Sequence, residues 1–253
     1  MTDEAGDGLV LVERPADRIA HVVLNRPNRR NALTGPLAAQ LIAHIEALHA
    51  DPDVTVIVIR GAGNAFCSGL DLKEFSQDPQ PDWVKDFPAM WRSVHQLLFD
   101  SDRIIVGALE RAAVNGGAAL ALACDFLIAG DESFLQVGEI QQGMAAPMNM
   151  AWLRLRFTES LAGRIALLGD RIGGPELVRL GVAHQSVPDD QVLSAIDALA
   201  ERLASHDPGG VARIKRSLRR TAVTESAQEW FDRPLAADPM QGNSRKPVAA
   251  TDT

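Results

Sequence analysis

One stretch constrains the fold of this chain more than any other: a strand that runs directly into a glycine-rich loop. Residues 54–60 are largely apolar and β-branched over the length of a strand, and the loop 61–72 follows as Gly-Ala-Gly-Asn-Ala-Phe-Cys-Ser-Gly-Leu-Asp-Leu. Its glycines leave backbone N–H groups uncovered, and such groups can hold an anion or a developing oxyanion when they face a cavity. The alternative is a plain turn, and the rest of the chain decides between the two.

The length and charge of the chain restrict the class of protein. Its 253 residues allow one large domain, or one domain with an appendage, and a sizeable core. Hydrophobic residues make up 46% and charged residues 23%, which is typical of a soluble globular protein. The net charge of −8 argues against a nucleic-acid partner. A local cluster of Arg26, Arg29 and Arg30 still suits a small phosphorylated ligand.

The cysteines and the N-terminal residues indicate the cellular compartment in which the protein is expected. Cys67 and Cys124 are the two cysteines of the chain, and they do not suggest a disulfide framework, so we expect a reducing, cytoplasmic environment. The first residues are acidic and contain no apolar segment, so no signal peptide is expected. No stretch reaches the roughly 18 apolar residues of a membrane span, and no membrane partner is expected.

The pattern of strands and helices predicts an α/β core. Thr34 is a good N-cap, with Pro36 in the first turn of the helix that follows. Over residues 1–158, short apolar runs typical of strands alternate with segments of helical periodicity, and this order favours a largely parallel sheet. Residues 159–253 are mostly helical, and the Pro-, Ala- and Asp-rich tail after Pro234 is expected to be loose. The predicted strands are 9–12, 19–24, 54–60, 104–109, 126–129, 133–137 and 184–187, and the predicted helices are 34–50, 83–99, 116–123, 147–157, 159–168, 176–180, 191–204 and 211–221.

Several motifs occur together in one order and spacing. They are Asn25-Arg26-Pro27, Asn31-Ala32-Leu33, the loop 66–72, the run 120–125 that ends in Cys-Asp, and the segment 134–143. Each motif alone is unspecific. Together they cover roughly residues 8 to 230 and resemble the enoyl-CoA hydratase/isomerase (crotonase) superfamily.

The resemblance implies a fold, a substrate and an assembly. The fold would be α/β and crotonase-like (the ClpP/crotonase fold), with repeated ββα units around two sheets and C-terminal helices used in trimer formation. The substrate would be an acyl-CoA thioester, processed through an enolate held by two backbone N–H groups, with no cofactor beyond the coenzyme A of the substrate. A trimer or a dimer of trimers is expected, and the apolar positions of the C-terminal helices would suit it: Val192, Ile196, Leu199 and Leu203.

The resemblance also assigns the two backbone donors. The first is the N–H of Leu70, directly after Gly69. The second is Gly116, found by counting back from Cys124-Asp125 without a gap, and it would begin a helix whose N-terminus adds a partial positive charge. A gapped alignment would instead make Val114-Asn115-Gly116 the opening motif of this segment. The ungapped register is preferred because it retains the full length of the helix.

By resemblance, the hydratases of the family use two acidic residues, and this chain has only one of them. These hydratases carry a glutamate three residues after the second glycine, and this chain has Ala119 there. The second acid matches Glu139, and residues 140–158 contain no Asp, Glu or His. Glu139 is therefore the single candidate for proton transfer. Three nearby amides could bind substrate but cannot carry protons: Gln141, Gln142 and Asn149.

Other polar residues have either structural or binding interpretations. Asp71 and Asp125 are interpreted as turn or cap residues, and Cys67 as a small packed side chain rather than a nucleophile. The coenzyme A phosphates would meet basic side chains, for which solvated charge is the alternative: Arg26, Arg29, Arg30 and Lys73. By resemblance the adenine end lies near the backbone of Ala32 and Ser68. One acid fits double-bond isomerisation best, and the alternatives are a hydratase of low efficiency or a non-catalytic acyl-CoA-binding protein.

Overall fold

The computed structural model describes residues 8–236, which form an α/β fold. Residues 237–253, most of the tail after Pro234, lie outside the described residues. The strands are β1 (Val10–Ala16), β2 (Ile19–Leu24), β3 (Val56–Gly61), β4 (Ile104–Leu109), β5 (Ala112–Val114), β6 (Phe126–Gly130), β7 (Phe134–Gln136), β8 (Ile172–Gly173) and β9 (Gln185–Val187). The helices are α1 (Gly35–Ala50), α2 (Leu72–Phe75), α3 (Phe87–Asp100), α4 (Gly116–Ala123), α5 (Pro147–Arg156), α6 (Glu159–Leu168), α7 (Gly174–Arg179), α8 (Val192–Ala204), α9 (Pro208–Ala222) and α10 (Ala227–Ala236).

The strands form two sheets. The larger has the order β1-β2-β3-β4-β6-β9, with β1 antiparallel to β2 and every other neighbouring pair parallel. The smaller has the order β5-β7-β8. In the larger sheet β2 and β4 are buried along their whole length, which explains their continuous apolar sequence. Parallel pairing of Leu24 with Gly61 places the glycine loop at the carboxyl end of β3.

A hydrophobic layer covers each face of the larger sheet. On one face α1 packs against α3, and buried side chains such as Leu41 and Leu98 join the main core. Thr34 caps α1 as predicted, since its side chain accepts a hydrogen bond from the N–H of Leu37. On the other face α8 lies across β3, β4 and β6. None of the described helices is long and apolar enough to cross a membrane.

The contacts of α8 correct one expectation. Val192, Ile196 and Leu203 are buried within this chain, and Leu199 packs beside them, in a cluster with sheet residues such as Val58 and Val106. They are therefore part of the core of the chain, and the expectation that these apolar positions serve contacts between subunits was wrong. The trimer itself stays a prediction.

Some elements were not predicted from the sequence. Strand β5 was missed because Ala112–Val114 is too short to give a periodic pattern, and helix α10 extends two residues past Pro234 into the predicted tail. Helix α10 packs against α5 and α3, and its Phe231 is fully buried. The packing explains why a segment of weak helical pattern is nevertheless ordered.

Candidate active site

The glycine loop is held in place by two short backbone pairings. Leu33 and Leu70 form one parallel bridge, and Cys67 and Ala113 form another. The N–H of Cys67 donates to the carbonyl of Ala112 at 3.0 Å, and the N–H of Val114 donates to the carbonyl of Cys67 at 3.0 Å. The loop is thereby fixed to β5, which leads directly into α4.

Two glycines allow the loop and α4 to approach backbone to backbone. A Cβ at Gly117 would stand 2.3 Å from the carbonyl oxygen of Cys67. Gly69 has φ +84°, and a Cβ there would stand 2.7 Å from the carbonyl oxygen of Val114. Side chains fit at neither position, so these glycines set the distance between the segments that carry Leu70 and Gly116.

The N–H groups of Leu70 and Gly116 have no acceptor among the described residues. Leu70 is flanked by bonded groups, because the carbonyl of Gly69 accepts from Leu33 and the N–H of Asp71 donates to Leu33, but its own N–H makes no such bond. Gly116 is the first residue of α4, where an N–H has no partner inside the helix. The partial positive charge at the start of α4 favours an anion beside Gly116.

Both residues line a cavity of about 320 Å³, together with Ala119 and Glu139. Gly116 and Ala119 are three residues apart on α4, so they lie on the same side of the helix. The cavity therefore holds the three residues expected to have a catalytic role, Leu70, Gly116 and Glu139. It also holds Ala119, at the position where the resemblance implies a second acid. The remaining lining residues are Leu33, Ser68, Leu72, Phe87, Trp91, Val114, Asn115, Gln142, Met144, Ala146, Pro147, Met148 and Asn149.

Glu139 is a buried carboxyl with one bonded and one unbonded oxygen. It is 9% exposed and lies in the single turn of 3₁₀ helix Glu139–Gln142. Its Oε1 accepts a hydrogen bond from Nδ2 of Asn149 at 2.8 Å, while Oε2 has no partner among the described residues. Burial raises the pKa of Glu139, and hydrogen bonds from its own N–H and from Asn149 act in the opposite direction. A raised pKa suits a group that gives and takes protons near neutral pH.

Most of the other cavity walls are apolar. Trp91 stacks on Phe87 with ring centroids 6.0 Å apart, and a Cβ at Gly116 would stand 3.7 Å from Nε1 of Trp91. Ala119 is fully buried and contributes only a methyl group. Such walls suit an apolar acyl chain and strengthen the electrostatic interactions of the buried carboxyl.

Cys67 is a packed side chain, as predicted. It is fully buried, and burial raises the pKa of its thiol to about 12. His95 is also fully buried, and burial lowers its pKa to about 3. Its Nδ1 accepts a hydrogen bond from Nε1 of Trp152. Neither group has the properties of a thiol nucleophile or of its base.

The four basic residues predicted to meet phosphates fall into two kinds. Arg26 contacts Asp71 at 3.1 Å and Arg29 contacts it at 2.7 Å, so both guanidinium groups are already paired. Burial opposes ionisation of Asp71, but hydrogen bonds from Arg29, from the N–H of Glu74 and from Arg26 hold its pKa at about 2. Arg30 and Lys73 are exposed. Their side chains have no ion pair among the described residues.

Asp71 is a cap residue as predicted, whereas Asp125, also expected to be a turn or cap residue, instead contacts β4 and α9. Asp71 caps α2 by accepting from the N–H of Glu74. Asp125 accepts from the N–H of Ile105 at 2.8 Å and pairs with Lys215 at 2.6 Å. Both carboxylates join segments that are distant in the sequence.

The predicted adenine contacts lie on the loop side of the cavity. Ser68 lines the cavity, and its hydroxyl donates to the carbonyl of Arg29 at 3.3 Å. Ala32 is buried, and its carbonyl accepts from the guanidinium of Arg26 at 2.6 Å. The structure thus places both residues beside the loop that carries Arg26, Arg29 and Arg30.

Comparison with known proteins decides the family. The sequence model described as "Enoyl-CoA hydratase/isomerase" matches residues 14–247. The chain belongs to the enoyl-CoA hydratase/isomerase family. It is 31% identical over 218 residues to the probable enoyl-CoA hydratase EchA12 of Mycobacterium tuberculosis (strain ATCC 25618 / H37Rv), covering 83% of this chain and 76% of the relative.

Solved structures from the enoyl-CoA hydratase/isomerase family share the fold. An enoyl-CoA hydratase/isomerase from Xanthobacter autotrophicus Py2 superposes with a TM-score of 0.81 at 28% identity, over 90% of this chain and 85% of the other. A monofunctional enoyl-CoA isomerase from M. smegmatis gives a TM-score of 0.71 at 27% identity, over 87% and 98%. The α/β fold is therefore crotonase-like, and membership in the family makes the protein an acyl-CoA enzyme.

Sequence reasoning within this family missed two features of the cavity. Trp91 lies in the predicted helix 83–99 and was given no role in the site, but it forms a cavity wall. Asn149 was considered only as a substrate ligand, whereas it donates to Glu139 from a different element. Neither contact has a local sequence signal, because both depend on how α3 and α5 pack around α4.

Proposed function

We propose that this protein isomerises the double bond of an acyl-CoA thioester, using Glu139 as its single proton carrier. One observation carries the proposal: among the described residues that line the cavity, Glu139 alone has an acidic or basic side chain. The raised pKa of this carboxyl, caused by burial, fits the role.

The reaction needs one base and one anion site. The carboxylate of Glu139 takes a proton from the α or γ carbon of the acyl group, and the electron pair moves onto the thioester oxygen as an enolate. The N–H groups of Leu70 and Gly116 stabilise that oxygen, and preorganised donors of this kind typically contribute about 3 kcal/mol each. Protonated Glu139 then returns the proton to the other carbon, which moves the double bond and restores the carboxylate.

Hydration is the second candidate, because the similar proteins include several whose names describe them as hydratases. Adding water across the double bond requires one group that deprotonates the water and one that donates a proton to the α carbon. The methyl group of Ala119 can do neither. Hydration through Glu139 alone would therefore be slow.

Isotope exchange tests the proposal directly. The protein is incubated in D₂O with saturated and 3-enoyl-CoA thioesters of several chain lengths, and deuterium at the α carbon and movement of the double bond are measured. The wild type should exchange and isomerise, and Glu139→Gln should lose both while binding acyl-CoA with unchanged affinity by calorimetry. Glu132→Gln, which removes an exposed carboxylate outside the cavity, is the matched control.

Each negative outcome has its own meaning. Binding without exchange would identify an acyl-CoA-binding protein with no catalysis. A fully active Glu139→Gln protein would exclude the proposed role of Glu139. No binding of any acyl-CoA at concentrations well above micromolar would contradict the proposed ligand.

A further inference from the structure

Asn149 joins the two parts of the proposed catalytic machinery. It lies in the first turn of α5 and is 1% exposed. Its Nδ2 donates to Oε1 of Glu139 at 2.8 Å and to the backbone carbonyl of Asn115 at 3.1 Å. The Asn115 carbonyl belongs to the same peptide group as the N–H of Gly116. One amide nitrogen therefore contacts both the carboxyl and the peptide that carries a backbone donor.

The orientation of the Asn149 amide follows from its partners. A backbone carbonyl can only accept hydrogen bonds, so the NH₂ group of Asn149, and not its oxygen, must face Asn115. The two hydrogens of Nδ2 are then directed at Asn115 and Glu139, and Oδ1 has no partner among the described residues.

This contact distinguishes the two oxygens of Glu139. Oε1 faces an N–H donor and is held as an acceptor. Oε2 is buried and has no partner among the described residues, so it is the oxygen that is free to take up a proton. The bond to Asn149 thus determines which oxygen is available to the substrate.

The same amide holds the peptide between Asn115 and Gly116. In a trans peptide the C=O and N–H point in opposite directions, so fixing the carbonyl of Asn115 fixes the direction of the Gly116 N–H. Asn115 has φ +50° and ψ −110°, a backbone conformation that surrounding contacts must maintain. Its carbonyl also accepts from the N–H of Ala119 at 3.0 Å, and its Oδ1 accepts from the N–H of Gly138 at 2.8 Å.

We propose that Asn149 is a positioning residue that fixes the Glu139 carboxyl and the Asn115–Gly116 peptide in one relative geometry. The substrate is then held by the Gly116 N–H at its thioester oxygen and met by Oε2 of Glu139 at the carbon to be deprotonated. This inference rests on the proposed role of Glu139 in proton transfer, and it adds the residue that aims the proton carrier.

The test replaces Asn149 with leucine, which has a similar size, and with alanine as a second variant if the first does not fold. Asn25→Leu and Asn25→Ala are the matched controls, because Nδ2 of Asn25 also donates to a backbone carbonyl, that of Gly8, outside the cavity. Thermal melting and acyl-CoA calorimetry establish folding and binding in every variant. The rate of α-proton exchange is then measured as a function of pH.

In the Asn149 variants kcat for exchange should fall about 10- to 100-fold, because the carboxyl is no longer aimed. KM should change less than about threefold, since the walls and the loop remain. The pH midpoint of kcat/KM should move upward, because the carboxylate loses a donor that stabilises its charged form. No other titratable side chain lines the described part of the cavity to cause such a shift.

Two outcomes would overturn the inference, and they differ from those that contradict the proposed function. A folded Asn149 variant with the wild-type kcat and pH midpoint excludes a positioning role, even if Glu139→Gln is inactive. A fall in kcat without any movement of the pH midpoint assigns Asn149 a purely structural role. An active Glu139→Gln protein, in contrast, would contradict the proposed function itself.

Discussion

A Cβ at Gly117 would lie 2.3 Å from the carbonyl oxygen of Cys67, so the start of α4 and the glycine loop meet at a distance that only glycine allows. Leu70 follows Cys67 by three residues, and Gly116 directly precedes Gly117. The contact therefore sets the separation between the backbone segments that carry Leu70 and Gly116, two residues that line the cavity. The site therefore requires glycine at position 117, because any side chain there would separate α4 from the glycine loop.

Gly117→Ala tests this contact. Alanine has the higher helix propensity, but its methyl group would push the loop away from α4, so we expect a loss of about 1–3 kcal/mol in the free energy of unfolding and of most exchange activity. Gly163→Ala is the control, because the nearest atom to its Cβ would be Cδ1 of Leu167 at 3.8 Å, an ordinary contact. It should stabilise α6 by about 0.5–1 kcal/mol. Urea unfolding measures both, and a Gly117→Ala protein as stable and active as the wild type would contradict the argument.

The two exposed basic residues, Arg30 and Lys73, should contribute to coenzyme A binding, whereas Arg26 and Arg29, which are paired with Asp71, should not. Arg30→Ala and Lys73→Ala should each weaken acyl-CoA binding by about two- to fivefold at low salt and less at high salt, as for exposed ion pairs. Arg213→Ala, which removes an exposed charge from α9, controls for net charge. Arg26→Ala should instead lower stability, because it removes a partner of buried Asp71. Calorimetry at two salt concentrations checks the binding, and equal affinities for Arg30→Ala, Lys73→Ala and Arg213→Ala would exclude a local phosphate contact.

The order of the motifs was enough to predict several features of the cavity. Leu70, Gly116 and Glu139 were assigned through the family resemblance that these motifs carry, and all three line the cavity. The pairing of Arg26 with Asp71 was not predictable, since 45 residues separate the two and a charge pattern does not identify partners across a fold. The face of α8 was misassigned for a related reason: an amphipathic helix has the same sequence pattern whether it covers its own sheet or a neighbouring subunit.

Glu139 should reduce stability at neutral pH. Burial raises its pKa in the folded state above the ordinary value of 4.5, so its stabilising contribution is complete below that value and is lost as the pH rises through the folded pKa. Glu139→Gln removes the buried charge and should raise Tm at pH 7, with a smaller gain at pH 4. Glu132→Gln, at an exposed position, should change Tm little at either pH. Melting curves at the two pH values check this, and a Glu139→Gln protein less stable than the wild type at pH 7 would contradict it.

Ala119 is the position at which the chemistry of the cavity can be changed with one substitution. It is fully buried on α4, three residues after Gly116, and it lines the same cavity as Glu139. Ordinary enzymes reach turnover rates on the order of 10² per second. The wild type should hydrate crotonyl-CoA far more slowly than that. A second carboxyl at position 119 could position and deprotonate water while Glu139 supplies the proton at the α carbon.

Ala119→Glu should therefore increase hydration of crotonyl-CoA by at least about tenfold, toward the lower limit of what a general acid or base contributes. It should also move the pH midpoint of proton exchange upward, because two carboxyl groups in one cavity disfavour each other's ionisation. Ala119→Gln fills the same space without carrying a proton, so it separates the chemical effect from the effect of side-chain size. Hydration is measured from the loss of enoyl-thioester absorbance, with folding and acyl-CoA binding checked for both variants. If Ala119→Glu binds acyl-CoA but hydrates it no faster than Ala119→Gln, the missing glutamate does not limit hydration in this protein.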